Sequence, residues 1–489
     1  LTIELDAPTG ATSNGIKIDS GVTLTIMDSS PGANALTVTN GADVTNEPAA
    51  SSNFGAAINS SEGTLIINSG TVNANGGRYG AGIGGGNNGD SGAITINGGT
   101  VNTIGGTASA GIGGGNRANG GTIEINGGTV NATGSIYYAA GIGGGMEGNG
   151  GGITVASGTV NAVGGNGAAG IGGGGGPNSG DSGAITITGD AVVTASSTNS
   201  GAGIGSGVVG RVNSISIDTT GTVTATGGTS GGSSGAAIGR AAGGSNDGAG
   251  ISNVTHPTAA SVIAPATAAF NVTVAAEGTT PPPLAYQWEV STGGAFTNVT
   301  DGTGGTTTGY TTAATTLAMS GNQYRNVITA SDVNGDGTGT ITYVTHPATL
   351  TVNAATAINT ASIDVTAPAT GAAPNATVTA CGTDFTCSAV TWAPNDNPFQ
   401  AGTQYTATIT LTASAGYTFT GLAAATINGN AANVISNTGN TVTLSYQFMA
   451  TSPLATRLTT SIPVLSPVGL ALLALALGGL AFRQGRRSA

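Results

Sequence analysis

The sequence predicts an all-β chain whose N-terminal half is a parallel β-helix. A glycine-rich phrase returns at a nearly fixed period, each period holds short runs of alternating apolar and polar residues, and no run has the apolar period of a helix. The phrase Gly-Ile-Gly recurs with isoleucines 29, 30, 29 and 33 residues apart, at Ile83, Ile112, Ile142, Ile171 and Ile204. A fixed period of this length is the sequence mark of a solenoid.

One period contains three predicted strands. Ile94 and Ile96 are expected to face the core and Thr95 the solvent, because alternate residues of a strand point to opposite sides. Two glycines follow Asn97 and mark a corner that needs a positive φ. We therefore predict a Gly-rich parallel β-helix over residues 1–252. Because the chain starts in mid-pattern at Leu1, we expect an export signal that was removed or lies upstream.

Threonine and asparagine flank the valine of each third predicted strand. If coils stack about 4.8 Å apart, these residues form two outward rows. The rows contain Thr100, Asn102, Thr129, Asn131, Thr159 and Asn161. One interpretation is a strand-compatible surface with self-pairing asparagine ladders. The other is a regular lattice of hydroxyl and amide groups that binds a glycan, a mineral or ice.

Two carboxylates in the turns are the strongest enzyme-like feature. Parallel β-helices also carry polysaccharide lyases and hydrolases, and Glu147 and Asp181 could lie one coil apart, roughly the separation that a retaining glycosidase needs. Asp181, however, belongs to a turn-favouring Asp-Ser-Gly triplet, and few aromatic residues are near it in sequence. We therefore predict no catalysis and no cofactor. The alternative is a polysaccharide lyase or glycoside hydrolase that uses this pair.

Charge and cysteine content restrict the possible partners. Charged residues are 7% of the chain, the formal net charge is −12, and there is no basic patch, which argues against binding to nucleic acid. Two cysteines and few charges suit a protein outside the cytoplasm.

Residues 253–353 are predicted to be a separate domain of short strands. Tyr286-Gln287-Trp288 and a segment ending in Tyr324-Arg325 resemble bacterial immunoglobulin-like domains. The resemblance implies a β-sandwich that acts as a spacer or binding module, with Trp288 in its core and Tyr324 at a corner. Asn326 stands where the family has its second cysteine, so the sandwich is expected to hold by packing alone.

Two further patterns in this domain have weak functional interpretations. Asp332, Asn334 and Asp336 match the opening of a calcium loop, but the twelfth position is Tyr343, so a hairpin turn is the favoured interpretation and a weak calcium site the alternative. His256 and His346 each occur as Thr-His-Pro, and we interpret them as boundary turns.

Residues 354–451 are predicted to form a second immunoglobulin-like or sandwich domain. Its pattern of tryptophan, alternating threonine and Gly-Tyr-Thr-Phe resembles a repeat common in bacterial surface proteins. Cys381 and Cys387 would close a small loop as a disulfide outside the cytoplasm. Trp392, Phe399 and Tyr417 are expected to pack in the core, with sugar binding as the alternative.

The C-terminal tail has the most specific pattern. After a linker at residues 452–461, an apolar run of 21 residues from Ile462 to Phe482 is long enough to cross a bilayer and ends in arginines that would stay cytoplasmic. Residues 462–489 resemble the IPTL-type C-terminal sorting signal of Gram-negative bacteria, which exosortase-like transpeptidases recognise. The residues that carry the resemblance are Ile462, Pro463, Leu465, Ser466, Arg483, Arg486 and Arg487. Val464 replaces the family's threonine.

Together these features predict an exported cell-surface protein that is structural or adhesin-like and non-catalytic. The expected partners are an exosortase-like sorting enzyme, the inner membrane at least transiently, and an extracellular polysaccharide or a host or matrix surface.

Overall fold

The computed structural model describes residues 14–29, 34–40, 54–178, 180–243 and 247–453. These residues fall into two compact units, divided between Ala354 and Ala355. Nearly all regular structure is β, and the one helical segment in the described residues is a 3₁₀ turn at Leu317–Met319. The all-β prediction is confirmed.

The N-terminal part of the first unit is a stack of coils whose strands form three parallel sheets, called here the first, second and third face. The first face contains Ile16–Lys17, Ile58–Asn59, Ile83–Gly84, Ile112–Gly113, Ile142–Gly143, Ile171–Gly172, Ile204–Gly205 and Ile238–Gly239. The second face contains Thr23–Ile26, Thr64–Ile67, Ala93–Ile96, Thr122–Ile125, Gly152–Val155, Ala184–Gly189 and Ser214–Thr219. The third face contains Ala35–Thr39, Thr71–Asn75, Thr100–Ile104, Thr129–Thr133, Thr159–Asn166, Val192–Asn199 and Val223–Thr226.

The register repeats the sequence period. Ile112 pairs with Ile83 and Ile142, and Ile123 pairs with Ile94 and Ile153, so each apolar column stacks on itself. Their side chains are at most 1% exposed. Burying each contributes about 1.5–3 kcal/mol, so the columns form one continuous core along the solenoid. The predicted parallel β-helix is therefore present.

Glycine follows the first-face isoleucine in the coils from Ile83 to Ile238, because two coils approach too closely there for a side chain. At Gly84 φ is +135°, and a Cβ atom would lie 1.9 Å from the carbonyl oxygen of Gly113. Only glycine adopts this backbone without strain. The recurrent Ile-Gly pair thus combines a core side chain with a tight corner.

Residues 253–353 continue two of the solenoid sheets. Thr340–Val344 pairs in parallel with Ser214–Thr219. Ala275–Glu277 pairs antiparallel with Gly250–Ser252, which itself pairs antiparallel with Ile238–Gly239. The remaining strands of this part of the chain are Ala260–Ile263, Ala269–Asn271, Ala275–Glu277, Leu284–Ser291, Thr297–Asn298, Gly309–Thr311, Gln323–Ala330 and Ala348–Asn353. Two short strands, Thr229–Ser230 and Ser233–Ser234, form a hairpin before it. The predicted boundary at residue 252 therefore does not interrupt the sheets.

Aromatic side chains fill the core of this segment. Trp288 is fully buried and donates its indole N–H to the carbonyl of Thr307 at 2.9 Å. The rings of Phe270 and Tyr324 stack with centroids 4.6 Å apart, and Tyr310 lies 6.1 Å from Trp288. Packing of these rings holds the segment together without a disulfide, as expected from Asn326.

The second unit has its own apolar core. Its strands are Thr356–Ala357, Thr360–Val365, Val378–Ala380, Phe385–Cys387, Thr391–Ala393, Thr406–Ala413, Tyr417–Thr418, Ala424–Ile427, Asn430–Ala431, Asn433–Asn437 and Thr441–Gln447. Thr406–Ala413 is central, since it pairs with Phe385–Cys387, Thr391–Ala393 and Thr441–Gln447. Phe419 and Tyr405 are fully buried in this core.

Candidate functional site

The Thr/Asn face is the outer surface of the third face over Thr100–Ile104, Thr129–Thr133 and Thr159–Asn166. The register aligns the six predicted residues into a column of three threonines, Thr100/Thr129/Thr159, and a column of three asparagines, Asn102/Asn131/Asn161. The valine between the two columns is buried in every coil, so threonine and asparagine point outward. These three strands contain no charged residue.

Hydrogen bonds run along the asparagine column. The Nδ2 atom of Asn102 donates to Oδ1 of Asn73, that of Asn131 to Asn102, and that of Asn161 to Asn131, each at 2.8 Å. Each bond uses one of the two N–H groups of the donor amide, so a second N–H remains for an external acceptor. The ladder holds these side chains in one orientation.

The threonine column, unlike the asparagine column, is not joined by side-chain hydrogen bonds. Among the residues that the structure describes, the hydroxyls of Thr100, Thr129 and Thr159 have no hydrogen-bond partner. At the next coil Val192 takes the place of threonine and Thr194 that of asparagine. The face therefore offers a row of free hydroxyls, about 4.8 Å apart, beside a row of fixed amides, and it ends at this coil.

Glu147 and Asp181 lie in different columns of the turns. Glu147 has φ +61°, and its Cγ lies 2.9 Å from the position of a Cβ on Gly176, its equivalent in the next coil. Its carboxylate is 3.8 Å from Nε of Arg117, one coil before. The coil equivalent of Asp181 is Asn149, not Glu147, so the structure departs from the expected stacking of the two carboxylates.

Asp181 is part of a second ladder. Its Oδ1 accepts a hydrogen bond from the backbone N–H of Arg211 at 2.8 Å, and its own N–H donates to Oδ1 of Asn149 at 2.9 Å. The same contact joins Asn149 to Asn119 and Asn119 to Asp90. This carboxylate therefore ties one coil to the next.

The loop with Asp332, Asn334 and Asp336 fastens residues 253–353 to the solenoid. Asn334 accepts a hydrogen bond from the backbone N–H of Val212 at 2.9 Å and donates to its carbonyl at 2.8 Å. Asp336 forms an ion pair with Arg211. Hydrogen bonds from the Thr338 hydroxyl and from Arg211 lower the pKa of Asp336 to about 2.

Asp332 forms a hydrogen bond within the same loop. Its Oδ1 accepts a hydrogen bond from the backbone N–H of Gly337 at 2.6 Å, and its φ is +53°. The three predicted calcium ligands thus have protein partners. In the described part of the chain no group of three or more His, Cys, Asp or Glu side chains could hold a metal ion.

The two cysteines and the three aromatic residues singled out in the second unit lie in different surroundings. Cys381 and Cys387 form a disulfide bond. They border a cavity of about 550 Å³ that Phe385 also lines.

Trp392 and Phe399 are 8% and 3% exposed and contact each other edge to face at 5.3 Å, whereas Tyr417 is half-buried. Trp392 and Phe399 thus belong to the core.

Sequence reasoning missed the proximity of the two histidines. The rings of His256 and His346 stack with centroids 3.8 Å apart and planes 2° from parallel. The repetition of Thr-His-Pro was a signal, but it did not show that residues 90 positions apart meet.

The predicted sorting segment at residues 462–489 lies outside the described residues. Among the described residues no helix is long and apolar enough to span a bilayer.

Comparison with known families agrees with the two most regular features of the sequence. Residues 460–487 match the model of the IPTL-CTERM motif. Residues 65–87, 94–116, 123–146 and 185–208 match that of the beta helix repeat. No curated protein matches the chain. The chain therefore carries beta helix repeats and, at its C-terminal end, an IPTL-CTERM sorting motif, as the sequence predicted.

Proposed function

We propose that this chain is an exported cell-surface protein that attaches to an extracellular polysaccharide, or to a host or matrix surface, through the Thr/Asn face. The sorting motif supports export and processing by an exosortase-like enzyme, with the apolar segment at residues 462–482 held in the inner membrane at least transiently. Residues 253–353 and 354–451 act as immunoglobulin-like modules. The role is structural or adhesive, and no bond in the ligand is broken.

The free hydroxyls of Thr100, Thr129 and Thr159 carry this proposal. A flat, uncharged surface with hydroxyls at a constant spacing suits a ligand whose own hydroxyl groups repeat, and a neutral extended glycan has that chemistry. The fixed asparagine amides add donors that lose little conformational freedom on binding. In the enzymatic alternative the reacting groups are Glu147 and Asp181. The carboxylate of Glu147 forms an ion pair with Arg117, and that of Asp181 accepts a hydrogen bond from the backbone N–H of Arg211.

The test is a glycan array probed with the chain and read for both retained protein and released sugars. Thr100, Thr129 and Thr159 are changed together to valine, which keeps the shape and removes the hydroxyls. The matched control changes Thr95, Thr154 and Thr186 of the second face to valine. We expect retention to fall at least about tenfold in the first variant only, since each lost hydrogen bond costs about 0.5–1.5 kcal/mol. Equal loss in both variants, or released sugars, would contradict the proposal.

A further inference from the structure

The three faces of the solenoid end differently at their C-terminal side. The first face continues into Gly250–Ser252 and Ala275–Glu277, and the second into Thr340–Val344. The third face ends at Val223–Thr226, which pairs only with Val192–Asn199 in the described residues. Strand pairing therefore secures two faces and leaves the third with an open edge.

The open edge is also less well covered than the coil before it. Val193 and Ala195 are at most 1% exposed, whereas their partners Val223 and Ala225 are half-buried. An open edge presents backbone groups that can pair with another chain, so proteins usually protect it.

The histidine pair lies at this end. Nε2 of His346 is 3.0 Å from the carbonyl oxygen of Gly221, two residues before Val223. The backbone N–H of His346 donates to Nδ1 of His256 at 3.0 Å, and the two rings stack. His256 follows the last solenoid strand and His346 lies between two strands of the next segment, so the pair ties the two parts at the third face.

The contact between the two histidines requires a neutral His256 ring. Nδ1 of His256 accepts a hydrogen bond, so a proton there removes the acceptor, and a proton on both rings places two cations 3.8 Å apart. Among the described residues, the ring of Tyr343 also faces His256, with ring centroids 6.2 Å apart. On the neighbouring strands Asp218 and Arg325 pair with each other at 3.5 Å. Burial first, and then the charge of His346, lower the pKa of His256 to about 4.

We propose that His256 and His346 form an acid-sensitive latch: while His256 is neutral, the pair ties the end of the third face at Gly221 to residues 253–353, and protonation of His256 breaks this tie and loosens Val223–Thr226 from Val192–Asn199. Proton binding by His256 sets the direction in which pH shifts the balance between the closed and open states. A histidine whose pKa is lower in the closed state than in the open state favours closure above about pH 6.5, and this contribution is lost as the pH falls toward 4.

Amide hydrogen exchange in the full chain tests the latch. Exchange of residues 222–226 is compared at about pH 7.5 and about pH 5, with rates corrected for their intrinsic pH dependence. The open population should be about tenfold larger at the lower pH. This factor includes a reduction for solvent screening, because the His256 ring is half-exposed. Residues 193–199 of the preceding strand serve as the internal reference and should not change. In His256→Gln the pH effect should disappear, because glutamine does not titrate. An unchanged pH effect in His256→Gln, or none in the wild type, overturns the proposal.

Ring titration gives a second readout that needs no variant. The chain has only two histidines, so their ring signals can be followed by NMR as the pH falls. A pKa for one ring at least one unit below 6.5 supports the latch, and ordinary values for both rings overturn it. This measurement decides the matter even if His256→Gln does not fold.

Discussion

At the residue scale the repeat makes burial and spacing predictable. Alternation and period alone predict that Ile94 and Ile96 face the core, and both are at most 1% exposed. A side chain in a solenoid meets its equivalent one coil away, so its main contacts follow from the period. The stacking of His256 on His346 follows from no period, because these residues come together through the path of the segment between them.

Gly113 provides a test of the close approach between coils. Its φ is +135°, and a Cβ atom would lie 2.0 Å from the carbonyl oxygen of Gly143. We expect Gly113→Ala to lower the free energy of unfolding of the solenoid by at least about 3 kcal/mol, since the strain in this backbone region adds to the clash. Urea unfolding followed by circular dichroism measures the change.

Gly152→Ala is the matched control for this substitution. Gly152 begins a strand of the second face, and a Cβ there would have no atom within 4 Å. We expect it to be neutral or to stabilise by up to about 1 kcal/mol, since alanine reduces the entropy of the unfolded chain. If both variants lose the same stability, the backbone approach at Gly113 is not the reason that glycine is needed.

At the element scale the sequence predicted the strands of each coil better than their continuation. Residues 253–353 were expected to be a separate domain, yet Ser214 pairs with Thr340. Alternation identified both strands, but it does not identify which strand will lie beside another when more than a hundred residues separate them. The local pattern therefore fixes a strand and its buried side, and the long-range pairing depends on the packing of the whole segment.

The disulfide of the second unit gives a prediction at this scale. Cys381 and Cys387 join Val378–Ala380 to Phe385–Cys387 through a short loop. We expect the double change to serine to lower the stability of this unit by about 2 kcal/mol, the loop-entropy value for so short a closure. Thermal unfolding observed through the buried Trp392 reports the change. Reduction of the wild type should have the same effect, and a stability equal to that of the oxidised wild type would show that the bridge contributes nothing.

At the scale of the whole molecule the chain combines two β-structured units with a short C-terminal sorting motif. The solenoid needs few charges because its core is continuous and its outer rows are threonine and asparagine, which accounts for 7% charged residues in a folded chain. The free threonine hydroxyls came from no sequence pattern, since alternation predicts that a side chain points outward but not whether a neighbour binds it.

The sorting motif carries the last prediction. Pro463 lies within the matched residues 460–487, and the arginines at the C-terminal end are expected to keep the apolar segment in place for processing. We expect Pro463→Ala to leave the chain unprocessed in the inner membrane fraction, whereas Val464→Thr, which restores the family's residue, should be processed at least as well as the wild type. Cell fractionation with antibody detection of chain length measures both. Equal length and location for wild type and Pro463→Ala would mean that the C-terminal segment acts as a plain membrane anchor, and surface attachment would then have to follow from that anchor alone.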